Sequence, residues 1–180
     1  MSFCKSLFSL LLLAVTACAD MTDDLNPSGE DKRPVVEAGS IGPYVGQQAP
    51  DFTLSDTLYT FHTLSTELTT ANGIVLYFNM WCPLCDSHMS HMRENIVPDF
   101  PLVSFFVVDY VTGSVSLSRS SQVANGFTDF TVLVDIDQYI VNSYNATMGT
   151  TVVIDSNGSI TMNEDYKDGS RLRTALESLP

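Results

Sequence analysis

Apolar runs separated by polar turns indicate most of the secondary structure of this chain. Residues 73–80 read GIVLYFNM and are apolar at nearly every position, which is typical of a strand buried on both faces of a sheet. A segment that suits a helix, residues 83–97, follows and is stopped by Pro98. Further strands are predicted at 102–110, 131–135, 150–155 and 159–162, and further helices at 114–125, 138–144 and 169–178. This alternation predicts an α/β fold with a central mixed sheet flanked by helices.

Two short β-rich runs precede this alternation. FTL at 52–54 and LYTFHTL at 58–64 have the composition of strands. Asn72-Gly73 then marks a turn before the first central strand. We therefore expect an N-terminal β-hairpin as an extension of the fold.

The start of the chain has the pattern of an export signal. Lys5 supplies a positive charge, and the apolar run from Leu7 to Val15 ends in small residues. The nine positions of this run would cover about 14 Å as a helix, against the roughly 30 Å of a bilayer core. The pattern therefore favours a secretory signal over a transmembrane anchor.

VTAC at 15–18 resembles the lipobox of bacterial lipoproteins. The resemblance implies a lipoprotein signal peptide over residues 1–17, cleavage before Cys18 and lipidation of the Cys18 sulfur. Ala19 follows the cysteine, and the lipoprotein sorting rule then favours the outer membrane over the inner one. We expect a lipid-anchored protein of the bacterial cell envelope that faces the periplasm.

Residues 18–45 are rich in Asp, Glu, Gly, Pro and Ser and have no sustained helix or strand period. They are predicted to form an acidic flexible linker that carries the lipidated Cys18. As a random coil, the stretch would reach about 26–31 Å, so the folded domain predicted for residues 46–180 can work clear of the membrane.

Charge and length restrict the possible functions. The 180 residues suffice for one domain with an extra segment, and 44% of them are hydrophobic, enough to bury a core. Eight Lys and Arg stand against 21 Asp and Glu, for a formal net charge of −13, and the basic residues do not cluster. This excludes nucleic acid as a partner.

The chain has four cysteines. If Cys4 leaves with the signal peptide and Cys18 is acylated, the remaining thiols are Cys82 and Cys85. They lie in the motif WCPLC, at 81–85, where a buried strand ends and a helix begins. This position suggests redox chemistry of the two thiols.

At a helix N-terminus, unpaired N–H groups and the macrodipole stabilise an anion, so the pKa of Cys82 should fall below that of a free cysteine. Pro83 in the first turn costs no hydrogen bond there. Cys85, one turn further on, can attack a mixed disulfide on Cys82. Cys82 is the predicted nucleophile and Cys85 the predicted resolving thiol.

A CxxC pair has two other common uses. A structural zinc ion normally takes four protein ligands, and the sequence offers no second cysteine pair. A purely structural disulfide is compatible with an exported protein, but this one would close a very short loop and constrain the unfolded chain little. Redox activity is the favoured interpretation.

Residues 46–180 resemble the thioredoxin-fold redoxins of the TlpA/ResA and AhpC/TSA superfamily. The matching segments are QQAPDFTLSD at 47–56, VLYFNMWCPLC at 75–85, the strand ending in Asp109, and TTVVIDSNGSI at 150–160. The resemblance implies a thioredoxin-like fold and thiol-disulfide exchange with protein substrates by an exported or membrane-tethered enzyme.

The sequence departs from that family at the predicted site. Gly149 stands where the family usually has a cis-proline packed against the cysteine pair. TlpA/ResA-like sequences tend to have CxxCxxExP, whereas this chain has His88 at the acidic position and Ser90 at the proline. Both differences change the environment of the cysteine pair, and His88 could tune the redox properties of the thiols.

The peroxiredoxin motif PxxxTxxC is absent around both cysteines. For Cys82, the threonine and proline positions hold Asn79 and Val75. For Cys85, they hold Cys82 and Phe78. This disfavours a dedicated thiol peroxidase.

A copper site is the main alternative. CPLCDSHMSHM contains ligands that select Cu(I), and Cys82, Cys85 and His88 could form a site resembling, in part, that of Sco-type copper proteins. At 100° per residue, Met89 falls on the same side of the helix as Cys85 and His88. Met92 and Ile96 continue that side, His91 points away from it, and His62 in the hairpin is expected at the surface or half-buried. An ordinary core stripe explains the methionines more simply.

The favoured function is a lipid-anchored thiol-disulfide oxidoreductase that exchanges disulfides with envelope proteins and with an electron donor or acceptor that the sequence does not identify. It needs no cofactor beyond the Cys82–Cys85 disulfide. Trp81 and Tyr77 are expected to be packing residues, and Trp81, next to the nucleophile, could also line the substrate groove. A Sco-like copper-binding assembly factor and a thiol peroxidase are the alternatives.

Overall fold

The computed structural model describes residues 35–37 and 39–180, and a mixed sheet lies at its centre. The strands are β1 (Thr53–Ser55), β2 (Phe61–Thr63), β3 (Gly73–Asn79), β4 (Val103–Asp109), β5 (Thr131–Val134), β6 (Thr150–Asp155) and β7 (Ile160–Asp165). The helices are α1 (Leu64–Glu67), α2 (Pro83–Asn95), α3 (Val115–Ala124), α4 (Tyr139–Ser143) and α5 (Ser170–Glu177), with a 3-10 turn at Val97–Asp99. Within the described residues, the central sheet has five strands in the order β5-β4-β3-β6-β7, with β3 parallel to β4 and antiparallel to β6. This confirms the predicted α/β fold with a mixed sheet.

The side chains of β3 alternate between the two faces of the sheet, and each face carries a hydrophobic core. Ile74, Leu76 and Phe78 pack on the face that α1 and α4 cover. Val75 and Tyr77 pack on the opposite face, with α2 and α5. Because both faces are covered, all seven residues of β3 are buried, which explains its nearly continuous apolar run.

The predicted N-terminal hairpin is formed by β1 and β2, which pair antiparallel. Its turn is attached to the edge of the central sheet: Asp56 bridges to Leu133, and the N–H of Thr57 donates to the carbonyl of Val132. The hairpin therefore covers part of β5, which would otherwise be an open edge strand.

The first residues of the predicted domain contact the sheet region, and Ile41, just before the predicted boundary, pairs with them. The compact unit begins at Val36, and the N–H of Gly46 donates to the carbonyl of Ile160 at the start of β7. Gln48 bridges Ile41 on one side and Ser159 on the other.

No helix in the described part of the chain is long and apolar enough to cross a membrane. The predicted signal peptide, Cys18 and the linker up to residue 34 lie outside the described residues.

The ends of β7 and α2 differ from the predictions for physical reasons. β7 continues to Asp165, past the predicted residue 162, because its backbone stays paired with β6 as far as Thr150 and Asp165 although the last three residues are polar. α2 ends at Asn95 rather than residue 97, and Pro98 lies in the 3-10 turn that follows.

Candidate active site

Cys82 lies at the junction of β3 and α2. It is the N-cap residue of α2, with extended backbone (φ −105°, ψ 160°), and its Sγ accepts a hydrogen bond from the N–H of Cys85 at 3.3 Å. Pro83 occupies the first position of the helix, where no N–H donor is needed. The N-terminal end of α2 thus favours negative charge on the Cys82 sulfur, as the sequence predicted.

The two thiols lie together but differ in exposure. Their Sγ atoms are 2.7 Å apart, and both cysteines are free; Cys82 is half-buried, whereas Cys85 is fully buried. Partial burial raises the pKa of Cys82, but hydrogen bonds from the Cys85 thiol and from the N–H groups of Cys85 and Leu84 outweigh it, so the pKa of Cys82 lies below its ordinary value. Burial, together with the hydrogen bond that Cys85 donates, raises the pKa of Cys85. The site therefore favours a Cys82 thiolate next to a protonated Cys85.

Asp86, in the first turn of α2, opposes this arrangement. Its negative charge raises the pKa of Cys82. Its Oδ1 atom is buried with no hydrogen-bond partner in the described residues, and burial raises the pKa of Asp86 itself. The stabilisation of the Cys82 thiolate must therefore come from hydrogen bonds and the helix N-terminus.

His88 lies one turn after Cys85 on the buried side of α2. Its Nδ1 atom is 3.0 Å from the hydroxyl of Tyr77, and its ring centroid is 4.8 Å from that of Tyr166. Burial, and then the nearby His91, lower the pKa of His88, so its ring is neutral around pH 7. The residue that replaces the family's acidic group is thus an uncharged base bonded to a tyrosine.

Gly149 adjoins this histidine. A Cβ atom at Gly149 would lie 3.8 Å from the His88 ring, and the backbone φ of +86° is one that side chains rarely adopt. The N–H of Gly149 donates to the carbonyl of Phe78, and its carbonyl accepts from the N–H of Tyr166. Glycine therefore fits a position that ties the end of β3 to the segment after β7.

Trp81 precedes the nucleophile in the left-handed region, with φ +55°. Its N–H donates to Oδ1 of Asn79, and its indole Nε1 donates to Oδ2 of Asp109 at 2.7 Å. Asp109 is buried and also accepts hydrogen bonds from Val111 and Thr112. The buried carboxylate thus fixes the residue next to Cys82.

The three proposed copper ligands do not lie together as one group. Within the described residues, no group of three or more His, Cys, Asp or Glu side chains is placed to hold a metal ion, so Cys82, Cys85 and His88 do not form a three-ligand site. Met89 and Met92 are fully buried in the core, as expected for a packing stripe. These residues fit a copper ion poorly.

The other two histidines have local partners. His91, predicted to point away from the buried side of α2, is half-buried, and its Nδ1 lies 2.6 Å from the Tyr166 hydroxyl. His62 is half-buried, as predicted, between the carboxylates of Asp56 and Glu67.

The sequence reasoning missed two groups at the site. Tyr77 was assigned to packing alone, and Asp109 had no assigned role. Asp109 could have been found, because Asn79 and Asp109 end neighbouring parallel strands and pair directly in register. For Tyr77, the alternation along β3 places it on the α2 face, but the sequence does not show that it meets His88.

Comparisons with solved structures place the fold among thioredoxin-like proteins. A candidate protein disulfide isomerase from Bacteroides thetaiotaomicron is 20% identical with a TM-score of 0.65, covering 78% of this chain and 93% of its own. A candidate thiol:disulfide interchange protein, DsbE, from Chlorobium tepidum is 20% identical with a TM-score of 0.64, covering 76% and 97%. The peroxidoxin BcpB from Mycobacterium tuberculosis is 22% identical with a TM-score of 0.61, covering 75% and 95%. At these identities the likeness shows the fold.

Sequence comparison identifies the family. No curated protein matches the chain. The AhpC/TSA family matches residues 45–162, a range that begins before the hairpin, includes the whole WCPLC motif and ends within β7. The chain therefore belongs to the AhpC/TSA family and is a thioredoxin-like oxidoreductase.

Proposed function

We propose that the protein is a membrane-anchored thiol-disulfide oxidoreductase that exchanges disulfides with envelope proteins through Cys82 and Cys85. The observation that carries this proposal is the asymmetry of the pair. Cys82 is accessible and has a lowered pKa, whereas Cys85 is fully buried behind it with a raised pKa. An attacking thiolate beside a protected second thiol suits two-step exchange.

In the first step, the Cys82 thiolate attacks a substrate disulfide and forms a mixed disulfide, releasing one substrate thiolate. In the second step, Cys85 attacks the Cys82 sulfur, the second substrate sulfur leaves with the bonding electron pair, and the Cys82–Cys85 disulfide forms. The substrate gains two electrons and the cysteine pair loses two. The reverse sequence oxidises a substrate dithiol, so no other cofactor is required.

Exposed apolar side chains lie at the edge of the sheet that carries Cys82, and they support the proposal that the substrate is a protein. Met80, Val111 and Ile136 follow β3, β4 and β5, which run parallel, and all three are exposed. Leu84, between the cysteines, is also exposed. An apolar rim beside the nucleophile suits the side chains of a polypeptide rather than a small polar molecule.

The location is part of the proposal. Lipidation of Cys18 and the acidic linker would hold the domain near a membrane while leaving it free to reach partner proteins. The periplasmic side of the envelope, with the outer membrane favoured, follows from the lipobox and Ala19. Replacing Cys18 with Ser should release the protein from the membrane fraction without changing its redox activity.

The test of the catalytic assignment uses the full chain carrying Cys18→Ser, to prevent acylation. With insulin as a disulfide substrate and a dithiol reductant, the protein should accelerate reduction, and Cys82→Ser should abolish the acceleration. Cys85→Ser should accumulate mixed disulfides that resolve on non-reducing gels. Full activity of Cys82→Ser would exclude this mechanism.

Thiol peroxidase activity is the second candidate, because the family that matches the chain includes peroxidase-type redoxins and BcpB shares the fold. Asn79 in place of the motif threonine argues against it, since its Oδ1 is occupied by the N–H of Trp81. We expect no sustained turnover of hydrogen peroxide with a thiol reductant. Peroxide turnover that depends on Cys82 would reverse this order of candidates.

A further inference from the structure

The loops that follow β3, β4 and β5 lie side by side at the edge of the sheet that carries Cys82. Asn79, Asp109 and Val134, the last residues of these three strands, are neighbours in register. Neighbouring strands are about 4.8 Å apart, so the end of β5 lies about 10 Å from the end of β3, which leads into Cys82. A partner chain bound at Cys82 can therefore reach the loops after β4 and β5.

Hydrogen bonds hold these loops together. The N–H of Asp135 donates to the carbonyl of Asp109 at 2.9 Å, and the side-chain amide of Gln138 donates to the carbonyl of Tyr110 at 3.2 Å. The indole of Trp81, the residue before the nucleophile, reaches across to the carboxylate of Asp109. Because the loops are already fixed to one another, a partner that binds them would not have to order them first.

The side chains that the loops after β4 and β5 expose are largely apolar. Val111 follows β4, Ile136 and Tyr139 follow β5, and all three are exposed. On the other side of β3, the exposed residues of the loop before β6 are Asn145 and Thr147, which are polar. The side towards β4 and β5 is therefore the one that gains more from losing its contact with water.

Asp137 gives this apolar side a negative charge. Its side chain is exposed, and none of the ion pairs in the described part of the chain involves it, whereas the exposed carboxylates of Asp99 and Asp129 pair with arginines. The three loops with their flanking residues, 79–86, 109–114 and 134–140, contain no Lys, Arg or His. A cation that pairs with Asp137 at this edge would therefore come from a partner. The β4–β5 face, apolar with one exposed carboxylate, consists of Val111, Ile136, Asp137 and Tyr139.

We propose that the β4–β5 face docks an extended segment of a partner protein that has apolar residues beside its cysteine and a Lys or Arg about three residues from it. The inference rests on the proposed thiol-disulfide function and names the class of partner. An extended chain rises about 3.3 Å per residue, so about three residues cover the distance between the ends of β3 and β5. The apolar residues pack on Val111, Ile136 and Tyr139, and the cation pairs with Asp137. An anionic lipid surface does not fit this face, because the chain has a formal net charge of −13.

The test uses the full chain carrying Cys18→Ser and a set of isomeric peptides. Each peptide has one cysteine flanked by leucines and a single lysine, whose position changes from one isomer to the next on either side of the cysteine. The cysteine is bonded to thionitrobenzoate, which leaves as a coloured thiolate when the Cys82 sulfur bonds to the peptide sulfur. Each rate constant is divided by that of the same peptide with mercaptoethanol, which corrects for the effect of the lysine on the disulfide itself.

The corrected rate constant should be largest, by about twofold to fivefold, for a lysine about three residues from the cysteine. All isomers have the same net charge, so the overall negative field of the protein does not produce such a preference. The preference should vanish in Asp137→Asn. Glu37→Gln is the matched control: it removes the same charge from an exposed position in the segment that precedes the hairpin, and it should keep the preference.

The apolar part of the face is tested separately. Ile136→Ser should slow the reaction of the leucine peptides by about fivefold to tenfold, as expected when part of an isoleucine side chain is no longer buried on binding. Ile41→Ser is its control, because Ile41 is also exposed but pairs with Gln48, which bridges to Ser159 at the opposite edge of the sheet. The mixed disulfide of mercaptoethanol and thionitrobenzoate is too small to reach the face, so its rate should be unchanged in every variant.

Equal rates for all lysine positions, a preference that survives Asp137→Asn, or equal effects of Ile136→Ser and Ile41→Ser would each overturn the proposal. A dimer that Ile136→Ser dissociates in sedimentation experiments would assign the face to a second copy of the chain and would also overturn it. A wild type that reacts with neither the peptides nor the small disulfide would instead refute the proposed function on which the face rests. The two failures are therefore distinguishable.

Discussion

Two buried carboxylates end neighbouring parallel strands and hold different parts of the active-site edge. Asp109, at the end of β4, accepts the indole N–H of Trp81 and fixes the residue before Cys82. Asp135, directly after β5, accepts the N–H groups of Ile140 and Val141 and caps α4. Each side chain satisfies several buried donors, so each substitution leaves donors unpaired.

Asp109→Ala should destabilise the protein by about 1–3 kcal/mol for each buried donor that loses its acceptor. Trp81 also loses the hydrogen bond that anchors it. Because Trp81 is the single tryptophan, the fluorescence of the folded state should change. Because Trp81 is the residue before Cys82, alkylation of Cys82 should become slower. Urea unfolding followed by fluorescence measures the stability and the native fluorescence, and the rate of Cys82 alkylation is measured on the folded protein.

Asp135→Ala is the control for Asp109→Ala, because it removes an equally buried carboxylate that does not contact Trp81. It should destabilise the protein but leave the native fluorescence and the alkylation rate of Cys82 unchanged. Native fluorescence that does not respond to Asp109→Ala would contradict the role assigned to this carboxylate.

At the scale of secondary-structure elements, α2 carries the two thiols at one end and packs into the hydrophobic core along its length. Its N-terminal turn carries Cys82 and Cys85, and the following turns bury Met89 and Met92 against β3 and α5. A helix anchored by its buried side cannot rotate without displacing the thiols. The sequence spacing predicted this buried side, because the 3.6-residue period is a local property of the chain.

Met89→Ala should lower the free energy of unfolding by about 2–5 kcal/mol, since the side chain is fully buried and its removal leaves a cavity. Glu94→Ala, at an exposed position of the same helix, should change it by less than about 0.5 kcal/mol. Urea denaturation of both variants measures the difference. Equal stabilities would argue against the packing role and reopen the question of a ligand role for the methionine.

At the scale of the whole molecule, charge is the dominant feature. The formal net charge of −13 and the absence of a basic cluster in the sequence produce a negative field around the domain. Asp86 adds to this field beside the nucleophile. Encounter with basic partners should therefore be favoured over encounter with acidic ones.

Two disulfide-bonded peptides that differ only in Lys or Glu flanking residues measure this effect. The reduced protein should react faster with the lysine peptide at low ionic strength. At about 1 M salt, where the Debye length falls to about 3 Å, the two rates should approach each other. Equal rates at low salt would show that the field does not guide substrates.

The sequence by itself determined the features that depend on neighbours along the chain. The apolar run of β3, the buried side of α2, the hairpin and the placement of Cys82 at a strand-to-helix junction all follow from local periodicity and turn residues. The family motifs around these elements identified the redoxin fold for the same reason: they are continuous segments.

Only the tertiary structure decided which side chains meet across elements. The contact of Tyr77 with His88 depends on how α2 crosses β3, and the bond between Trp81 and Asp109 depends on the register of two strands that are distant in sequence. The hydrogen bonds of Gly149 to Phe78 and Tyr166 likewise depend on the pairing of the strands around it. Periodicity gives the face on which a residue lies, but its partner is set by the packing of elements that the chain brings together from a distance.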